Sequence, residues 1–342
     1  MAARVRAAIV TASIALALTA CAKPVTEAKD GPALVWPPEP DAPRVAFVKS
    51  FSRPEDLGMS RGFFQRLAEV LFGGIESHLV RPMAVVAVGG VLYVADPGAK
   101  GVHRFDLAGG SYQLIGATGG GPLPSPVGLA QGFQGEVYVT DSILAGVFVI
   151  RPGAKVAAPV PLHAKLRQPT GIAVDRAAGR LYVVDTADHL VHVFKRDGTL
   201  DSSFGQRGTG DGEFNYPTFI WRTPQGKLYV SDSLNFRVQI FDEHGRFLGQ
   251  FGAPGDGSGD FARHKGIATD HYGHVYVVDA LFHAVQIFDD AGRFLLSVGA
   301  RGRDRGEFWL PGGIFIGEDD TIYVADSYNR RVQVFRYIGG PT

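Results

Sequence analysis

The chain has 342 residues, 45% of them hydrophobic, with 45 glycines, 21 prolines and a single cysteine. Its 34 basic and 34 acidic residues cancel, so there is no global basic excess for a phosphate backbone, and nucleic acid is not expected as a partner unless through a local patch. One cysteine excludes an internal disulfide and a cysteine-based metal site, while the glycine, the proline and many short apolar runs point to an all-β body full of tight turns.

Arg4 and Arg6 form a short positive start, and residues 7–18 are apolar but too few to span a bilayer as a stable helix. The run ends in Leu18-Thr19-Ala20-Cys21, which resembles the bacterial lipobox. That resemblance implies a lipoprotein signal peptide over residues 1–20, lipidation of Cys21 and export to the cell envelope. Ala22, not an aspartate, follows the cysteine, which in the Gram-negative pattern favours the outer membrane. An ordinary signal peptide with a chance cysteine is the competing reading. Without the first 20 residues and their two bases, 32 basic residues face 34 acidic ones, a net charge of about −2. Six prolines between residues 22 and 43 predict that residues 21–43 form an extended, lipidated tether, at roughly 3.1 Å per residue.

Residues 44–51, RVAFVKSF, read as a lone strand similar to RFLLSVG near the far end of the chain. The segment SRGFFQRLAEVLFGG then places Phe63, Phe64, Leu67, Val70 and Leu71 at roughly helical spacing. With Ser60 as N-cap and Gly73 as stop, a short helix is expected over residues 61–72.

From residue 92 one unit recurs six times: LYVADPGAKGVHRF, VYVTDSILAGVFVI, LYVVDTADHLVHVF, LYVSDSLNFRVQIF, VYVVDALFHAVQIF and IYVADSYNRRVQVF. Its aspartates, Asp96, Asp141, Asp185, Asp232, Asp279 and Asp326, lie 45, 44, 47, 47 and 47 residues apart. A valine follows each at six residues and a phenylalanine, or Ile150, at nine. Each unit parses into four strands: a Gly-Ile-Ala-Val-Asp type, a Tyr-Val-x-Asp type, an alternating Val-x-Val-Phe type and a fourth after a turn. Four antiparallel strands at this period are propeller blades. The sixth unit lacks a fourth strand, so residues 44–51 are expected to supply it and close the ring, removing free sheet edges. The Pro-x-Gly-Ile-Ala, Tyr-Val-x-Asp and Asp-x-x-Asn-x-Arg-Val elements resemble NHL repeats. The resemblance implies an all-β, six-bladed β-propeller over residues 44–342, with the helix at 61–72 on the face of the blade-to-blade crossings, capping a channel mouth or serving for docking.

The six repeated aspartates are expected to cap turns by accepting backbone N–H groups. Asn235, Arg237, Asn329 and Arg331 complete the family element in blades 4 and 6, where they are expected to tie neighbouring blades together. Elsewhere the Asn position holds Ala99, Leu144, Asp188 and Phe282, and the Arg position Gly101, Gly146, Leu190 and Ala284. On the face shared by these loops and the crossings, Ile143, Leu144, Leu281 and Phe282 form an interaction patch or pack on adjacent loops; both readings stay open. Crossing loops add Arg207, Asp211 and Tyr216, then Asp256, Asp260, Arg263 and His264, then Arg301, Arg303, Asp304, Arg305 and Trp309. A tryptophan beside three arginines suits an anionic or aromatic ligand, or a loop with its own ion pairs.

Among NHL propellers, the resemblance brings in the peptidyl-hydroxyglycine lyases, which hold zinc with histidines placed after the proline opening a first strand. Here that slot holds Met83, Val127, Thr170, Thr218, Lys265 and Gly312; the nearest histidine, His264, replaces the proline itself. Zinc needs three converging protein ligands. His189 and His192 are expected to project to different sides, and His271 and His274 to lie on the opposite face. No cofactor, metal or catalytic group is therefore expected. The leading expectation is an envelope-anchored binding or scaffolding propeller whose loop face meets an envelope protein or extracytoplasmic ligand. Its rival is a metal-dependent hydrolase or lyase at the channel mouth, which requires His264 to converge with Asp211 or Asp260.

Overall fold

Every repeat folds as an antiparallel sheet whose strands step outward from a common axis. The computed structural model describes residues 33–59 and 77–340; Cys21, the segment before it and the helix expected over residues 61–72 lie outside these. Blade 3 runs from its inner strand, Pro169–Asp175, through Arg180–Asp185 and Leu190–Lys195 to the outer Leu200–Phe204. The two middle strands are almost wholly buried because both of their faces pack on neighbouring blades. That is why they read as unbroken apolar runs, whereas outer strands such as Phe294–Val298 alternate between exposed and covered positions.

Blade 4 spans Pro217–Arg222 to Phe247–Phe251, and blade 5 His264–Thr269 to Phe294–Val298. Blades 1 and 2 start at Ala84–Val88 and Pro126–Gln131, and their outer strands touch through a short parallel pairing, Val156↔Gly116 and Ala157↔Ala117. Blade 6 holds Ile314–Ile316, Thr321–Asp326 and Arg331–Tyr337. Its fourth strand is Val45–Phe51, antiparallel to the third from Val45↔Tyr337 to Phe51↔Val332. The ring is closed as the missing strand of the last repeat predicted.

The expected tether ends earlier than residue 43. Val35–Trp36 adds a further short strand against Val45–Ala46, and the Trp36 ring meets the edge of Phe335 at 5.7 Å. The physical reason is an apolar seat over Gly306, where a Cβ would fall 2.5 Å from the Trp36 ring.

Crossing loops wedge the blades apart with aromatic plugs. Phe214, Phe261 and Phe308 are fully buried, each within 6 Å of the third-strand phenylalanine of its blade, Phe241, Phe288 or Phe335. Their seat demands a glycine: Gly252 has φ +92°, and a Cβ there would stand 2.3 Å from the Phe261 ring.

Candidate functional site

Inner strands start at the crossing-loop face and end at the opposite face. At their starts they are laced blade to blade. Thr140 Oγ1 donates to Thr170 O, Thr170 Oγ1 to Thr218 O at 2.8 Å, and Ser327 Oγ to Pro82 O at 2.6 Å. Gly313 N donates to Met83 O at 2.7 Å across the seam between blades 6 and 1. So close are the strands that a Cβ on Gly171 would meet Thr218 O at 2.7 Å. From this collar a funnel of about 610 Å³ runs along the axis to the opposite face.

The funnel is asymmetric. Blades 1 to 3 offer small residues: Ala84, Gly128, Ala130, Gly171 and Ala173. Facing them are Phe219, Trp221 and Phe315, with Trp221 edge-on to Phe315 at 6.1 Å and 68°. Trp221 is held by its own N–H, which donates to Thr269 Oγ1 at 2.9 Å. Around the rim, the buried Asp175 pairs with Arg222 at 2.7 Å and accepts from the N–H groups of Ala177 and Ala178. Arg222 Nε finds no partner among the described residues. Arg176 donates to Gln131, and His271 faces Asp320. An apolar slot with an aromatic step and a few fixed polar groups has the anatomy of a small-molecule site.

None of these residues was a sequence candidate for binding. The signal was present in the inner strands, where positions that are Gly or Ala in most blades become Phe219 and Trp221 in blade 4.

Elsewhere the predicted site residues are dispersed. All six repeat aspartates are completely buried and accept N–H groups from the crossing loop that enters their blade, as Asp141 does from Ser125 and Asp326 from Trp309. Asp141 and Asp279 also cap the following loop, through Ile143 and Leu144 and through Leu281 and Phe282. Arg237 grips Asp232, Gln250 and the carbonyls of Gly210 and Glu213, so it locks the crossing loop to its blade; Arg331 does the same at Asp326, Asp304 and Glu307. Asn235 and Asn329 join these clamps.

On the crossing-loop face Ile143, Leu144, Leu281 and Tyr216 are exposed, Ile143 by 68%, and Phe282 is half-buried. Arg303 stacks over Trp309 at 4.7 Å, a contact internal to its own loop, while Arg301 and Arg305 are exposed. Asp260 accepts from Gly257 N of its own loop at 3.0 Å. His264 is turned into the blade and completely buried, its Nε2 donating to Arg237 O at 2.8 Å and its ring stacked on Phe261. It therefore neither reaches a ligand nor converges with Asp211 or Asp260, because its strand-start position faces a neighbouring loop and not the axis. Lys265 holds the next position, and burial, followed by Arg263 and Arg81, lowers its pKa to about 8.

The NHL repeat family model matches residues 166–194, and a family model described as a 6-bladed beta-propeller matches residues 221–280 and 267–339. Comparison with curated proteins finds no match. Among solved structures, an auxiliary nutrient binding protein from Bacteroides thetaiotaomicron superposes with a TM-score of 0.61 at 13% identity, over 76% of this chain and 70% of that one. One from Bacteroides ovatus gives 0.58 at 14%, over 75% and 69%. Virginiamycin B lyase from Staphylococcus aureus gives 0.55 at 16%, over 76% and 96%. At these identities the likeness is one of fold. The chain is a six-bladed β-propeller, and one of its repeats, residues 166–194, matches the NHL repeat model.

Proposed function

We propose that the chain is an exported, lipid-anchored binding propeller that seats a small ligand with a flat apolar face in its axial funnel. The observation that carries this reading is the step of Phe219, Trp221 and Phe315 facing small residues above a laced collar. Rings bury large area against aromatic faces, and the rim groups Arg222, Asp175, Arg176 and Gln131 supply orientation. Support for the anchor is the lipobox resemblance at Cys21, and the nutrient-binding description of two structural neighbours is in keeping with an extracytoplasmic ligand. A second reading, docking of an envelope partner on the crossing-loop face, is favoured by Ile143, Leu234, Leu281 and Tyr328. Each lies two residues after a repeat aspartate and is at least half exposed.

The test is a fluorescence and thermal-shift screen of small ligands, beside a crosslinking pull-down from the envelope, on three proteins: the wild type, Trp221→Ala, and the double variant Ile143→Ser, Leu281→Ser. A hit lost in Trp221→Ala and kept in the double variant supports the funnel. Envelope partners lost only in the double variant favour the second reading, and a ligand indifferent to Trp221 sinks the first. Release of the protein from membranes by Cys21→Ala checks the anchor.

A further inference from the structure

Blade 3 lacks the clamp that closes blades 4 and 6. In blade 4 one oxygen of the buried Asp232 accepts from Asn235 Nδ2 and Arg237 Nε at 2.8 Å and from Gln239 Nε2 at 3.0 Å. Blade 6 repeats this with Asp326, Asn329, Arg331 and Gln333. The same positions in blade 3 hold Asp185, Asp188, Leu190 and His192. The guanidinium is gone, a second carboxylate has replaced the amide, and an imidazole stands where the glutamine was. Asp185 is completely buried and keeps two backbone donors, Arg167 N at 2.6 Å and Gln168 N at 3.0 Å.

Asp185, Asp188 and His192 present ligand atoms that all lie within 4.8 Å of one another. His192 is more than nine-tenths buried, and its Nε2 has no hydrogen-bond partner among the described residues. Its Nδ1 is committed to Ser203 Oγ at 2.8 Å, which fixes the ring. Strand register sets His192 opposite Val183, two residues before Asp185 and on the same side of the sheet. The equivalent ring in blade 1, His103, places Nε2 3.4 Å from Asp96, but Ala99 stands there in place of a second carboxylate. A buried carboxylate with a second one beside it needs a positive charge close by.

We infer that Asp185, Asp188 and His192 form a site for a zinc-class divalent cation, which does in blade 3 what arginine does in blades 4 and 6. One imidazole and two carboxylates suit a first-row transition cation, whereas calcium and magnesium prefer oxygen-only shells. The Ser203 contact is the orienting partner that a ligating histidine ordinarily has on its other nitrogen. Arg167 sits on Asp188 at 2.8 Å with its side chain 67% exposed, so it swings off at little cost. Binding ties Asp188, in the loop between the two middle strands, to Asp185 and His192 on the strands that flank it.

The full-length chain, stripped with chelator and dialysed against zinc chloride, is analysed for metal content and melted. One zinc per chain and a raised Tm are expected. His192→Gln installs the residue of blades 4, 5 and 6, and the triple variant Asp188→Asn, Leu190→Arg, His192→Gln rebuilds the whole blade 4 clamp. Both are expected to fold and to lose the zinc and the zinc-dependent rise in Tm, the rebuilt clamp melting at or above the stripped wild type. A wild type that takes no stoichiometric zinc, zinc kept by both variants, or calcium taken in preference to zinc overturns the assignment.

Discussion

His264 stands where the other five blades have Pro82, Pro126, Pro169, Pro217 and Pro311, and the exchange puts a titratable ring in a sealed seat. Burial is the first cause that lowers its pKa, to about 4 from an ordinary 6.5, outweighing the bond to Arg237 O. The folded chain thus keeps the ring neutral while the unfolded chain takes a proton as pH falls below about 6.5. Stability from this group is therefore full above pH 6.5 and declines as pH drops towards 4, by about 1.4 kcal/mol per unit and about 3 kcal/mol in all. Urea unfolding of the wild type and His264→Pro at pH 7.5 and pH 5 checks this. The variant is expected to lose about 2 kcal/mol less between the two conditions, and equal losses would show that another group governs the acid limb.

The crossing loops show the same economy one level up. Loops 205–216, 252–263 and 299–310 each begin with a glycine at φ near +92° to +95° and bury a phenylalanine nine residues on, while an acidic side chain, Glu213, Asp260 or Glu307, accepts from the loop's own backbone. Phe261→Ala is expected to cost about 3–5 kcal/mol of unfolding free energy, and Gly252→Ala to destabilise too, since the new Cβ meets the Phe261 ring in a backbone region hostile to it. Asp260→Asn should cost distinctly less; comparable losses in all three would mean the loop is held by its polar groups and not by its plug. Blades were legible in the sequence because fully buried middle strands stamp Tyr-Val-x-Asp and Val-x-Val-Phe at a fixed period. The loops' polar residues looked like ligand candidates because spacing alone does not reveal that Asp260 serves its own backbone, nor that Arg303 lies on Trp309. The funnel was hidden for a different reason: Phe219, Trp221 and Phe315 become neighbours of Gly128 and Ala173 only when the ring closes.

Closure is a property of the whole molecule, made by strands from its two ends. Val45–Phe51 covers Arg331–Tyr337, and the buried Phe335 lies beneath Trp36, Phe47 and Phe308. Without that strand the third strand of blade 6 is an unpaired edge with apolar side chains next to it, a template for pairing with another copy. The same seam carries the bonds from Gly313 to Met83 and from Ser327 to Pro82, so opening it also loosens the collar at the base of the funnel. A chain beginning at residue 53 is expected to melt lower, to self-associate in size-exclusion chromatography, and to lose any ligand that depends on Trp221. A synthetic peptide of residues 33–52 added in trans should restore the monomer and the ligand together, because it supplies the missing edge and both aromatic contacts on Phe335. If the truncated chain stays monomeric with an unchanged melt, the parallel contact between blades 1 and 2 and the lacing of the inner strands are enough to hold the ring. The N-terminal strand would then be a cover for the edge and not its clasp.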